Sequence, residues 1–519
     1  MAVKLIMLLV FFSIMVAVGI YCRKVVSDVN GFVLGGRAVG PWLTAFAYGT
    51  SYFSAVIFVG YAGQFGWKYG IASTWIGLGN ALIGSLLAWV ILGRRTRLMS
   101  QHLDTATMPE FFSKRFQNHS LKIGASAIIF IFLIPYTASL YNGLSRLFEM
   151  AFNIDYIVCI IVMAVLTGIY VIVGGYMATA INDFIQGLIM LGGIVAVIAA
   201  VLNKNGGFMD SLDGLAKVQD AAVSSTPGIF ASFFGPDPLN LLGVVILTSL
   251  GTWGLPQMIQ KFYAIKSEKA IHKGTIISTL FALVVAGGCY FLGGFGRLFS
   301  DQVQVGDNGS IIYDSIIPSM LANLPDILIG VVVILVLSAS MSTLSSLVLA
   351  SSSTLALDFI QDIFCKHKKM SHKQLVFLMR FLIVVFILIS VVIAIWQYNS
   401  NVTFIAQLMG ISWGALAGAF LAPFLYGLYW KKASAPAVWS CFLFGALLMV
   451  CNMLFKDYFP VFLQSPINCG ALAMLAGFLI VPLVSLFTKA PPAKATEEIF
   501  SCYEQKVLVS ARESLGDQV

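Results

Sequence analysis

The amino-acid sequence predicts an all-α polytopic membrane protein of about thirteen transmembrane helices, with a five-plus-five inverted-repeat core whose helices are discontinuous. Three observations predict it. Of 519 residues, 59% are hydrophobic and 10% charged, with mean hydropathy +0.90, which leaves a soluble protein of this size without a charged surface. Apolar windows of about 20 residues recur thirteen times along the chain. The second and seventh are interrupted at matching places, five spans apart, as expected if spans 2–6 and 7–11 repeat one another.

The windows lie at 3–22, 42–66, 70–93, 122–151, 154–173, 180–202, 237–265, 274–299, 326–357, 376–396, 402–428, 435–456 and 466–487. Lys4 ahead of an apolar run has the look of a secretion signal. The run reaches Cys22 without a small-x-small cleavage site, and Tyr21 speaks against a lipoprotein cysteine, so 3–22 is read as a retained helix. The loops alternate in charge. One set carries Arg23, Lys24 and Arg37; Arg94, Arg95, Arg97, Lys114, Arg115 and Lys122; Lys261, Lys266, Lys269 and Lys273; Lys366, Lys368, Lys369 and Lys373; and Lys431 with Lys432. The other is short or acidic, as at Asp210, Asp213 and Asp220 and at Asp301, Asp307 and Asp314. The positive-inside rule puts the basic set in the cytoplasm, with the N-terminus outside and the C-terminus inside a plasma (cytoplasmic) membrane. The excess of 31 Lys+Arg over 23 Asp+Glu is then topology and implies no nucleic-acid partner. Eight scattered cysteines lack metal-ligand spacing and read as small apolar packers. The expected organisation is a first helix and loop over 1–40, a first repeat over 41–202, and an outer loop with a second repeat over 203–432. Two peripheral helices over 433–488 and a cytoplasmic tail over 489–519 complete it.

In the second span, Gly49, Thr50, Ser51 and Ser54 interrupt an apolar helix near mid-membrane depth. Weak helix formers there favour unwinding, which frees carbonyls and amides inside the protein. The seventh span carries a similar fault, Gly251-Thr-Trp-Gly-Leu-Pro256-Gln257, where Pro256 removes a donor and frees a carbonyl a turn earlier. The ninth span holds Ser338-Ala-Ser-Met-Ser-Thr-Leu-Ser-Ser346. At about 100° per residue, Ala339, Ser342, Thr343 and Ser346 fall on one stripe. A row of hard oxygens in hydrocarbon suits a small alkali cation; tight helix packing uses the same residue types. Asp183, opening the sixth span, can cap that helix or place a carboxylate beside a cation path.

Six stretches in order, Phe32-Val-Leu-Gly-Gly-Arg37, Thr107-Met-Pro-Glu-Phe-Phe-Ser-Lys-Arg-Phe116, Gly174-Gly-Tyr176 with Asn182-Asp-Phe-Ile-Gln-Gly187, Gly254-Leu-Pro-Gln-Met-Ile-Gln-Lys-Phe262, Ala339-Ser-Met-Ser-Thr-Leu-Ser-Ser346 and Gly427-Leu-Tyr-Trp430, resemble the sodium/solute symporter family. The resemblance extends to about residue 487. It implies a LeuT-like core working by alternating access, with sodium as the coupling ion and no other cofactor. It further implies a sodium site made by the carbonyls of Thr50 and Phe53, the carbonyl of Ala339 and the hydroxyls of Ser342 and Thr343. Some members have a second sodium site, which matches Asp183, Ser345 and Ser346. The matching substrate pocket is Tyr52, Val56, Tyr136, Thr252, Trp253 and Gln257, although ordinary helix packing accounts for the same residues. The surroundings of Pro256 look like those of pantothenate carriers, while Thr107–Phe116 and Tyr136 look like proline carriers. The aromatics that enclose the ring in proline carriers fall at Val56, Thr248 and Thr252. Arg37 is a candidate inner gate or a topology-setting charge.

The expected function is sodium-coupled secondary active symport, importing a small organic solute such as proline or a carboxylate such as pantothenate. The expected partners are that solute, sodium ions and the lipid bilayer. Proton coupling, or a sodium-coupled sugar or sialic acid carrier, is the alternative. A membrane enzyme would need a catalytic group, and His102, His119, His272, His367 and His372 sit in loops with no metal or nucleophile motif. A channel would need a repeated filter or a ring of charges.

Overall fold

Hydrocarbon offers no partner to a main-chain N–H or C=O, so a chain this apolar must satisfy its backbone within itself. In the computed structural model, which describes residues 2–23, 28–152, 154–306, 309, 311–322, 324–364, 370–400 and 405–504, the described residues form helices and three isolated bridges. The chain opens with α1 (Ala2–Cys22) and the short α2 (Val29–Leu34). Next, α3 (Pro41–Tyr52) stops inside the protein; past Phe53 and Ser54 the chain resumes as a π-helical turn, Val56–Tyr61, and α4 (Ala62–Tyr69). α5 (Thr74–Gly79) runs through π-helical turns into α6 (Arg94–His102), followed by α7 (Met108–Phe116), α8 (His119–Phe152), α9 (Tyr156–Lys204) and α10 (Phe208–Lys217). A second broken pair, α11 (Pro238–Leu250) and α12 (Pro256–Ala264), is bent by 41°. Then come α13 (Glu268–Gly293), α14 (Ile316–Leu321), α15 (Asp326–Thr354), α16 (Gln361–Phe364), α17 (His372–Ser400) and α18 (Ile405–Tyr429). The last are α19 (Ala435–Leu454), α20 (Pro466–Phe487) and α21 (Ala493–Phe500). Residues 505–519 of the expected tail lie outside the described residues.

Ten of the described helices are long and apolar enough to cross a membrane, or eleven with the bent pair as one span, so the expected thirteen are not reached. The second window is cut at Tyr52, and its remainder runs on with the third; the fifth is the first part of the long α9; the seventh is the bent pair. The fifth and sixth windows meet without a loop. The 49 residues of α9, at 1.5 Å each, would span about 74 Å, more than twice the hydrocarbon thickness. Gly175, at φ 54° and ψ −151°, divides them. A Cβ there would sit 2.9 Å from the Phe32 carbonyl oxygen, so both the backbone angle and the contact demand glycine. Asp183 therefore lies inside α9, past that break, and the expectation that it caps a helix is corrected.

The most apolar windows of α15 and α18 are 83% and 89% buried against 22% for α1, which makes them the centre of the molecule. α15 packs on α3, α8, α9, α12 and α17, and α18 on α8, α19 and α20. The outer helices turn large apolar side chains outward, as at Phe377 and Leu479, because lipid is their solvent. Backbones approach closely where α4 meets α13: a Cβ on Gly66 would lie 1.9 Å from the Gly293 carbonyl oxygen. Gly66→Ala must push two backbones apart, so it should destabilise the protein by about 1–3 kcal/mol and lower its melting temperature in detergent. Gly192→Ala, with open space around the added methyl, should leave the melting temperature unchanged.

Candidate cation and solute site

α3 ends because Gly49, Thr50 and Ser51 support a helix poorly and Phe53 adopts an extended conformation, φ −93° and ψ 125°. The Phe53 amide still reaches back to the Gly49 carbonyl at 3.2 Å, while the amides of Ile57 and Phe58 both turn to the Ser54 carbonyl. The carbonyls of Thr50, Ser51 and Phe53, left out of the main-chain ladder, meet the Thr343 hydroxyl oxygen at 3.3, 3.4 and 3.3 Å. The same oxygen lies 3.0 Å from the Ala339 carbonyl. One hydroxyl proton thus faces four carbonyl oxygens in a buried site, an excess of acceptors that a cation would satisfy. The Ser342 hydroxyl donates to the Thr50 hydroxyl at 2.7 Å, and that hydroxyl donates to the Phe46 carbonyl at 2.8 Å. All five residues expected to form a cation site are brought to the break in α3. Ser51 joins them, and the sequence marked it only as a helix interrupter.

Asp183, Ser345 and Ser346 do not form one open oxygen cluster. The Ser345 hydroxyl donates to the Ser342 carbonyl of its own helix at 2.8 Å. Ser346 shares a 2.8 Å hydrogen bond with the Ser51 hydroxyl and accepts one from the Lys261 ammonium at 3.0 Å. Lys261 Nζ lies 3.7 Å from Asp183 Oδ2 and 5.2 Å from the centre of the Tyr176 ring. Sequence reading placed Lys261 among the loop cations. The structure corrects this: the bend after Gly254 directs α12 into the protein, and the side chain is buried.

Around the same break, the Tyr52 and Tyr136 rings lie 6.0 and 5.9 Å from the ring of Trp413 on α18. The hydroxyls of Tyr52, Tyr136 and Ser54, the Trp413 indole N–H and both amide atoms of Gln257 are buried without a protein partner. Val56 is buried at the start of the π-helical turn, which packs on α8 and α18. Thr252 and Trp253 instead spend their donors on carbonyls of the α5–α6 connection: Thr252 on Gly84 at 3.0 Å, Trp253 on Ile83 at 3.0 Å. Trp413 was missed because its stretch reads as plain apolar helix; the small residues flanking it, Gly410 and Gly414, were the available signal.

Arg37 has φ 55° and binds three segments: Nη2 donates to the Thr105 carbonyl at 2.6 Å, and Nη1 reaches the Ser100 hydroxyl and the Tyr263 carbonyl at 3.4 Å. Burial lowers its pKa while Asp104 opposes that shift, as expected of a charge held at a junction. Beside it the Val39 and Ala264 chains pair, Val39 N donating to Ala264 O at 3.2 Å and Lys266 N to Val39 O at 3.0 Å. Gln260 donates to the Val33 carbonyl at 2.8 Å. Arg115 donates to the carbonyls of Gly427 and Trp430 at 2.7 and 2.9 Å, joining α7 to the end of α18.

A family model described as the sodium:solute symporter family matches residues 32–445. The osmoregulated proline transporter OpuE of Bacillus subtilis is 29% identical over 507 residues, covering 96% of this chain and 97% of that protein. A sodium/proline symporter of Staphylococcus aureus is 30% identical over 455 residues, covering 86% of this chain and 85% of that protein. The solved outward-open structure of a Na+-coupled sialic acid symporter matches with a TM-score of 0.73 over 94% of this chain and 98% of that one, at 17% identity. Mhp1, a nucleobase-cation-symport-1 family transporter, matches in a closed conformation with a TM-score of 0.50 over 91% of this chain and 98% of that one, at 14% identity. Identities this low carry the fold alone: a LeuT-like helical architecture.

The Arg37 bond to Thr105 is charge-assisted, of a kind that contributes about 1.5–3 kcal/mol. Arg37→Ala should therefore speed amide exchange over residues 100–108 by roughly 10–100-fold, read by hydrogen–deuterium exchange, while exchange over α20 stays unchanged.

Proposed function

Because the chain belongs to the sodium:solute symporter family, we propose that it is a secondary active symporter in which sodium bound at the break in α3 drives uptake of a small amino acid, with proline the first candidate. The single observation that carries the sodium assignment is the Thr343 hydroxyl facing four carbonyl oxygens. A sodium ion there takes the carbonyls of Thr50, Phe53 and Ala339 and the hydroxyls of Ser342 and Thr343. It ties the broken end of α3 to α15 and so fixes the neighbouring walls of the solute pocket. Linkage makes the effect reciprocal: the ion raises solute affinity by the factor by which the solute raises ion affinity. An inward-negative potential adds about 2.3 kcal/mol per charge per 100 mV.

Proline is favoured because relatives 28–30% identical to this chain carry that solute in their names. The Tyr52, Tyr136 and Trp413 rings offer faces for a small saturated ring, and Val56 trims the space beside them. A solute carboxylate meets the Gln257 amide at the N-terminus of α12, where the helix dipole favours negative charge. A cavity of about 320 Å³ lined by Gln64, Lys68, Asp237, Asn240, Gln407 and Asn468 supports entry on that side. We assign that side to the exterior and the basic loops, with Arg37 as inner gate, to the cytoplasm. The first five-helix repeat is 41–202, and 203–432 holds the outer loop and the second repeat; each repeat opens on a broken helix, and these broken helices rearrange as access alternates.

In proteoliposomes, labelled proline should accumulate only under an inward sodium gradient, with pantothenate and short carboxylates as comparison solutes. Uptake that ignores sodium and follows pH would overturn the assignment in favour of proton coupling. Thr343→Ala should raise the half-saturating sodium concentration about tenfold, equivalent to about 1.4 kcal/mol. Val56→Phe should change solute preference with the sodium requirement unaltered.

A further inference from the structure

We propose that the Lys261 ammonium is a tethered cation that takes the second cation position of this chain, so that one sodium ion accompanies each solute. The inference deepens the sodium reading above and rests on it for the first site.

The position is defined by four elements. Lys261 comes from α12, Asp183 from α9 and Ser346 from α15, and Ser346 is hydrogen-bonded to Ser51 at the broken end of α3. Lys261 is 1% exposed and Asp183 0%, so neither charge has bulk water to lean on. An ammonium and a sodium ion ask the same of their surroundings, a carboxylate and hydroxyl oxygens, and lysine delivers its charge as a compact point. The one carboxylate in this group balances the one cation already there. A metal ion bound to Asp183 would stand within a few ångströms of the ammonium in a low dielectric, where like charges repel strongly. Both Asp183 oxygens lack a hydrogen bond and have Lys261 as their nearby cation, while the hydroxyls left to a metal are few. Ser345 is turned to its own helix at 2.8 Å, and Ser346 is shared between Lys261 and Ser51.

Unlike an ion, the tether cannot leave. It moves with α12, so the charge that links α9, α15 and the end of α3 travels with the inner half of the second broken helix. Lys261 thus sets the ion stoichiometry and couples the two breaks mechanically, without touching the solute.

The test is the number of ²²Na⁺ ions bound at saturation by the purified full-length protein in detergent, a readout that needs no solute. Wild type should bind one ion. Lys261→Ala, which leaves the Asp183 carboxylate unbalanced, should bind two, and Lys261→Ala with Asp183→Asn should return to one. Two ions on wild type overturn the proposal. One ion on both wild type and Lys261→Ala overturns the tether and leaves the first sodium site standing. No ion on wild type with one on Lys261→Ala does the reverse, and no ion on either overturns both. The double variant carries no net charge change at the site and guards against loss of Lys261→Ala to misfolding: it should keep the wild-type half-saturation for its single ion. A shift of tenfold or more there would overturn the separation of the two positions.

Discussion

An α-helix that stops inside a membrane protein leaves carbonyl groups with neither water nor main-chain partner, and the surrounding fold has to answer for them. Here that helix is α3, and the answer is a row of hydroxyls on α15: Thr343 spans the carbonyls of Thr50, Ser51 and Phe53, Ser342 meets the Thr50 hydroxyl, and Ser346 meets that of Ser51. The satisfaction is incomplete, since a hydroxyl has one proton to give. α15, which carries that row, is buried along its length from Leu335 to Thr354.

The second break follows the same physics with a different result. At Gly254 and Leu255 the chain turns, Pro256 opens α12, and the new helix packs on α3, α6 and α15 and reaches α9 through Lys261. This brings Lys261 to Asp183 and Gln260 to the Val33 carbonyl. The first break gathers oxygens around a hydroxyl, and the second brings a charged side chain to oxygens. Both meet on α15, a turn apart, at Ser342 and Thr343 for the first and at Ser346 for the second.

Away from the breaks, the stretches that carry the family resemblance act as joints. Phe32–Arg37 contacts Gly175 and Gln260; Thr107–Phe116 contacts Gly427–Trp430 through Arg115, and a Cβ on Gly427 would press on the rings of Phe111 and Phe116 at 3.3–3.4 Å. Thr107 itself donates to Asp358 at 2.5 Å, and Lys122 reaches Asp358 and Asp362 at 3.3 and 2.8 Å. These contacts cluster on the face of the basic loops, where the Arg37 guanidinium and the pairing of Val39 with Ala264 and Lys266 hold the segments before α3 and after α12 together.

Most of the apolar spans, the two interruptions and the hydroxyl stripe of 338–346 were legible from residue types, because bilayer thickness, helix propensity and helical periodicity act locally along the chain. The family followed from short motifs in order. Periodicity placed Ala339, Ser342, Thr343 and Ser346 on one face of a helix; that Thr343 meets three carbonyls of α3 depended on how two helices cross. Lys261 reads as a loop charge until the bend at Gly254 turns its helix inward. Asp183 reads as a cap until Gly175 shows that its helix began earlier. Trp413 carries only the faint local mark of Gly410 and Gly414 beside it, since its neighbours are the rings that α3 and α8 bring to it. Local chemistry marked the apolar segments and two of the breaks, whereas how the segments join, as at Gly175, and the partner of each freed polar group were decided by packing between segments far apart in sequence.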